Sequence, residues 1–110
     1  MTDIRIYQID LDRDHDSIAF ESYASLSRWQ GSPGVQASLY DMVFEGAVEA
    51  KDIEDVYRIF NMEKPECYKG RSLSVSDVVE IVESEDIKPG FYYCDVIGFK
   101  SISFEPELNP

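Results

Sequence analysis

Apolar and polar positions alternate at the start of the chain, where Ile4 to Ile9 (IRIYQI) is rich in β-branched and aromatic residues and predicts a strand. A polar connection, DLDRDHD, follows, and Asp16 or Ser17 could cap a helix through SIAFESYASLSRW, with Ala19, Tyr23 and Leu26 on its apolar face. The turn cluster QGSPG from Gln30 to Gly34 ends it. In LYDMVFEGAVEA, Tyr40, Met42 and Phe44 alternate with Asp41, Val43 and Glu45, the pattern of a half-buried strand, with Gly46 marking a bulge. In KDIEDVYRIFN the spacing of Ile53, Val56, Tyr57 and Phe60 predicts a helix capped by Asp52 and terminated by Asn61. A further helix is expected on the stripe Val75, Val78, Val79 and Val82, closed by SEDIKPG. FYYCD and FKSISF, separated by VIG, predict a closing hairpin. The expected order is β-α-β-α-α-β-β: an α+β fold with helices packed on a small, mainly antiparallel sheet.

Length changes this picture little. A chain of 110 residues is expected to form a single domain over 1–110 with a core that needs no staples. No apolar run reaches the roughly 20 residues of a membrane span, and MTDIRIYQID lacks the plan of a signal peptide, so a cytoplasmic protein is expected. Cys67 and Cys94 have no C-x-x-C spacing and are expected as free thiols.

Charge changes it more. The net charge of -12 is spread evenly, with -6 in residues 1–50 and -6 in 51–110, so it is not an acidic tail. Repulsion argues against direct binding of nucleic acid or an anionic membrane, and permits a basic protein partner or mimicry of DNA phosphates.

Each candidate chemistry competes with a plainer explanation. Asp10, Asp12, Asp14, Asp16 and Glu21 have the ligand types of a calcium loop, but His15 stands where that loop needs glycine and a strand precedes it. A solvated acidic loop is the better account of Asp10 to Asp16, with weak cation binding as the alternative. His15 is the single histidine, so a Ser-His-Asp or Cys-His site would have to use it, yet it sits inside the charge-rich loop; metal sites of the His/Cys type fail on ligand count. The glycines form no phosphate-binding loop, and no cofactor is expected. Arg71 and Ser72 lie ahead of the second clear helix, where free N–H groups attract anions. Ser74-Val75-Ser76-Asp77 fits a capping box, however, which assigns Ser74 and Asp77 to helix capping and leaves Arg71 and Ser72 for binding. In FYYCD, alternation puts Phe91, Tyr93 and Asp95 on one side and Tyr92 and Cys94 on the other. Aromatic residues in such a strand are more often core, because of their large apolar area; as a binding face, Tyr93 and Asp95 complete the candidate interaction surface.

The segments LYDMVFEG, IEDVYRIFN, KGRSLSVSDVVEI, FYYCD and GFK together resemble the YodL-like family of small bacterial domains, over about residues 40–104. The resemblance carries the family pattern onto Phe60, Asn61, Pro65, Gly70, Ser72, Leu73, Ser74, Val75, Ser76, Asp77, Tyr93, Asp95, Gly98 and Phe99. It implies an accessory domain associated with mobile or conjugative elements and brings no catalytic residue, cofactor or substrate. The expected function is a non-enzymatic protein-protein interaction module. An acidic DNA mimic that inhibits a DNA-binding protein is the alternative.

Overall fold

A computed structural model describes residues 1–10, 40–62, 68, 70–95 and 98–102. The helix expected over SIAFESYASLSRW, the acidic loop beyond Asp10, His15, Pro65 and Cys67 lie outside the described residues. Among the described residues there are five strands and one helix: β1 (Thr2–Ile9), β2 (Tyr40–Val48), α1 (Ile53–Met62), β3 (Val78–Ser84), β4 (Gly90–Cys94) and β5 (Phe99–Ile102). The strands form one sheet in the order β2-β1-β3-β4-β5, with every neighbouring pair antiparallel.

This overturns the α+β expectation of several helices on a small sheet. The decisive difference is the stretch after Asp77, which forms β3 and not a helix. Val75, Val78, Val79 and Val82 do have helical spacing, but valine and isoleucine are stiff at χ1 and pack better on a pleated surface. In the strand, Val79 and Ile81 pair with Ile6 and Ile4, while Val78 and Glu80 pair with Tyr7 and Arg5. Apolar residues are needed on both faces of this central strand, and the resulting continuous run hides its period of two.

The core lies between α1 and one face of the sheet. Ile4, Ile6, Phe44, Val79 and Ile81 contribute the sheet side, and Val56 and Phe60 the helix side. Phe60 meets Phe44 and Tyr68 edge-on at 4.9 and 5.0 Å between ring centres, a geometry that matches ring edges to ring faces. On the opposite face Tyr7, Ile9, Val78 and Tyr93 are also buried. There Arg5 reaches across strands to Glu45 (2.5 Å) and Glu80 (3.4 Å), and Tyr7 donates its hydroxyl to Glu80 at 2.9 Å.

Several local expectations shift by a residue or two. The β1–β2 register slips at Val43, since Ile6 faces Phe44 and Tyr7 faces Met42; Gly46 pairs regularly with Ile4 and makes no bulge. A second slip at Val82 displaces β3 against β1. Asp52 does cap α1, accepting the Asp55 N–H at 2.8 Å, as a short side-chain acceptor at that position should. Asn61 lies inside the helix and donates back to the Tyr57 carbonyl at 2.8 Å, so it is not the terminator.

Candidate functional site

Residues 70–77 form a strap that leads from the region beyond α1 into β3, and one polar side chain ties it to the sheet. Gln8 sits on the core face of β1 and is almost wholly buried. Its Nε2 has three acceptors within reach, the Arg71 carbonyl (2.9 Å), Asp77 Oδ2 (3.0 Å) and the Tyr68 hydroxyl (3.1 Å), which share its two N–H groups. Its Oε1 accepts the Arg71 N–H at 2.9 Å. The Tyr68 hydroxyl in turn donates to the Arg71 carbonyl. A Cβ at Gly70 would stand 2.6 Å from the Tyr68 oxygen and 2.8 Å from Gln8 Oε1, so any other residue there would push these bonded groups apart.

At the far end of the strap, Asp77 is fully buried. Its Oδ2 accepts the Ser74 N–H at 2.8 Å as well as the Gln8 amide. Its Oδ1 has no hydrogen-bond partner among the described residues. Burial pushes this carboxyl up to about 7, while the Ser74 N–H, Gln8 and the Arg71 charge pull in the other direction. Ser76 holds a left-handed backbone, φ 85°, which costs a residue with a Cβ about 1–2 kcal/mol. Three bonds hold it there: Ser76 N–H to the Cys94 carbonyl (2.9 Å), Cys94 N–H to the Asp77 carbonyl (2.8 Å), and the Tyr40 hydroxyl to the Ser76 carbonyl (2.6 Å).

The fold redistributes the candidate residues. Ser74 and Asp77 are bonded to each other, but they cap no helix; their contact folds the turn that starts β3. Tyr93 is completely buried and is no interaction surface. Strand alternation does place it opposite Tyr92 and Cys94, but the face it occupies is buried as well. Arg71 is engaged with Gln8 through its backbone and with the Ile9 carbonyl through Nη2 at 3.1 Å, so it braces the strap. Ser72 is half-buried, and its carbonyl accepts the Ser74 hydroxyl at 3.0 Å. Cys94 is a buried free thiol, pushed up to about 12 by burial and by the neighbouring Asp77 and Asp95 carboxylates.

Asp95 is the exception. It lines a groove of about 280 Å³ between α1 and the β4–β5 hairpin. Glu54 and Tyr57 contribute from the helix, Val75 from the strap, and Cys94 and Phe99 from the hairpin. The hairpin turn is closed by the Asp95 N–H on the Gly98 carbonyl at 3.0 Å, with Gly98 at a positive φ of 71°. Tyr57 is 44% exposed and meets half-buried Phe99 edge-on, 6.4 Å between ring centres. Sequence spacing puts Tyr57 on the buried stripe of α1, yet the stripe that packs is Ile53, Val56, Ile59 and Phe60. Its neighbour across the groove, Phe99, is signalled by its place in a strand and by the family pattern, neither of which points to a groove. Gln8 does give one: it is the lone uncharged polar residue in IRIYQI.

Among the described residues no three His, Cys, Asp or Glu side chains gather in a metal-binding arrangement, and no helix is long and apolar enough to cross a membrane. A family model described as the YodL-like domain matches residues 3–104. The chain belongs to that family, and the match takes in most of residues 1–39, which the sequence motifs alone leave outside. No curated protein and no solved structure matches the chain.

Proposed function

We propose that this member of the YodL-like domain family holds a protein partner, as a non-enzymatic accessory module of mobile or conjugative elements. The observation that carries the reading is the groove between α1 and the β4–β5 hairpin, where Tyr57 stands in solvent beside Phe99. Aromatic side chains with an apolar surround and a polar rim are the anchors of protein interfaces. Binding is further favoured over nucleophilic chemistry by the state of Cys94, whose buried thiol holds its proton far above neutral pH. The mobile-element setting comes from the family resemblance.

The test is affinity capture from host extract with the full chain and with a Tyr57→Ala, Phe99→Ser double variant of unchanged circular dichroism. A partner retained by the parent chain and lost with the variant is the expected result. Equal retention by both chains, or retention of nothing, overturns the reading. A captured DNA-binding protein that ignores the groove variant and is displaced by duplex DNA also overturns it, in favour of phosphate mimicry by the acidic surface.

A further inference from the structure

The groove offers charge as well as apolar surface. Resting on the docking reading, we infer that it is built to take an arginine side chain presented by the partner. Two of its lining residues, Glu54 and Asp95, are acids, and among the described residues no lysine or arginine lines it. Arg58, the cation of α1, pairs with Asp55 at 3.6 Å between Nη2 and Oδ1 and is not among the groove's lining residues. Of the two lining acids Glu54 is exposed, so it is the one open to a partner's cation.

The aromatic pair adds to this. The face of an aromatic ring is its negative side, and a cation placed over it is attracted. Tyr57 and Phe99 meet at 77°, so the two rings present surfaces in different directions to whatever enters. Val75 and the Phe99 ring provide apolar contact for a methylene stem, as a long cationic side chain needs when it buries its stem and keeps its head near charge. The volume of about 280 Å³ suits a single long side chain. A net charge of -12 also draws a basic partner toward the surface before any contact forms.

Arginine fits this set better than lysine. Its guanidinium is planar and weakly hydrated, stacks on rings, and offers a fork of donors to a carboxylate. A lysine ammonium is a compact, strongly hydrated point charge, so it gives up more water for the same site.

The test titrates the isotope-labelled full chain with an acetylated, amidated pentapeptide of neutral residues around a central arginine, and with the same peptide carrying lysine or glutamine there. Amide shifts centred on Val75, Gly98 and Phe99 are expected, with the arginine peptide binding roughly tenfold tighter than the glutamine one and lysine between them. Glu54→Gln should weaken the arginine peptide about threefold and leave the glutamine peptide unchanged. Equal affinity of the arginine and glutamine peptides, shifts centred elsewhere, or no binding at all overturns the inference. If host capture still depends on Tyr57 and Phe99 while the three peptides behave alike, the arginine inference fails and the docking reading stands. If capture and peptide binding are both lost, both fail.

Discussion

Gln8 and Asp77 lie 69 residues apart in the chain and share a 3.0 Å hydrogen bond inside the core. The Gln8 amide is the point at which the strap over residues 70–77, the ring of Tyr68 and strand β1 are fastened together. Buried polar groups of this kind stabilise a fold only when each partner is satisfied, and become costly when one is removed.

Replacing Gln8 with leucine keeps the volume and removes the whole set of bonds. The Arg71 N–H loses its acceptor, and Asp77 keeps the Ser74 N–H as its remaining donor. The expected loss is about 2–4 kcal/mol of unfolding free energy, read from urea denaturation. A loss below about 1 kcal/mol, the scale of an ordinary surface substitution, would show that the strap is held by something other than Gln8.

Ser76 separates the turn from the helix that the valine spacing suggests. At a positive φ, glycine is preferred over any residue with a Cβ; within a helix, alanine is preferred over glycine by about 1 kcal/mol. Both Ser76→Gly and Ser76→Ala remove the same hydroxyl, so their difference isolates the backbone. With φ at 85° the glycine variant is expected to be the more stable of the two by about 1 kcal/mol in thermal or urea unfolding. The reverse order would restore a helical reading of this segment.

The two faces of α1 make opposite predictions for neighbouring aromatic residues. Phe60 is fully buried between Phe44 and Tyr68, so Phe60→Ala should cost about 3–5 kcal/mol. Tyr57 is half in solvent, and Tyr57→Ala should cost less than about 1 kcal/mol while removing partner capture. Comparable stability losses at the two positions would place Tyr57 in the core and remove it from the docking surface.

Legibility from sequence tracks the range of the interactions involved. The strand at Ile4–Ile9, the helix capped by Asp52 and the β4–β5 hairpin depend on neighbours a few residues away, and each can be read from local pattern. The segment after Asp77 cannot, because Val78 and Val79 face opposite sides of a strand buried on both, and burial erases the alternation. The Ser74–Asp77 contact is legible as a pair and misleading as a cap, since a capping box and this turn use the same acceptor on a nearby N–H. The groove is out of reach for another reason. Tyr57 fits the i+4 place on the apolar stripe, yet it is Phe60 that meets Phe44 and Tyr68 in the core while Tyr57 stays exposed. Asp95 stands out in the strand run, but its companions come from α1 and the strap, which only the tertiary fold brings beside it.

Asp77 gives the fold a pH dependence of defined sign. Its carboxyl is raised from 3.8 to about 7 in the folded chain, chiefly by burial. Below about pH 4 both the folded and unfolded forms hold the proton, and the contribution of this group is fully present. As pH rises from 4 toward 7 the unfolded chain releases its proton while the folded chain retains it, so stability falls; above about 7 both are ionised and the loss is complete. At 1.36 kcal/mol per unit, the loss over this window has an upper bound of about 4 kcal/mol. Other carboxylates titrate in the same range, and comparison with Asp77→Asn cancels them. Asparagine keeps an oxygen to accept the Ser74 N–H and Gln8, and cannot ionise. The stability of the parent chain relative to this variant should therefore decline between pH 4 and 7 and level off above, when both are unfolded in urea at a series of pH values. A flat difference, or one that rises with pH, would mean that Asp77 is ionised in the folded chain and that the strap is fastened by a charged carboxylate.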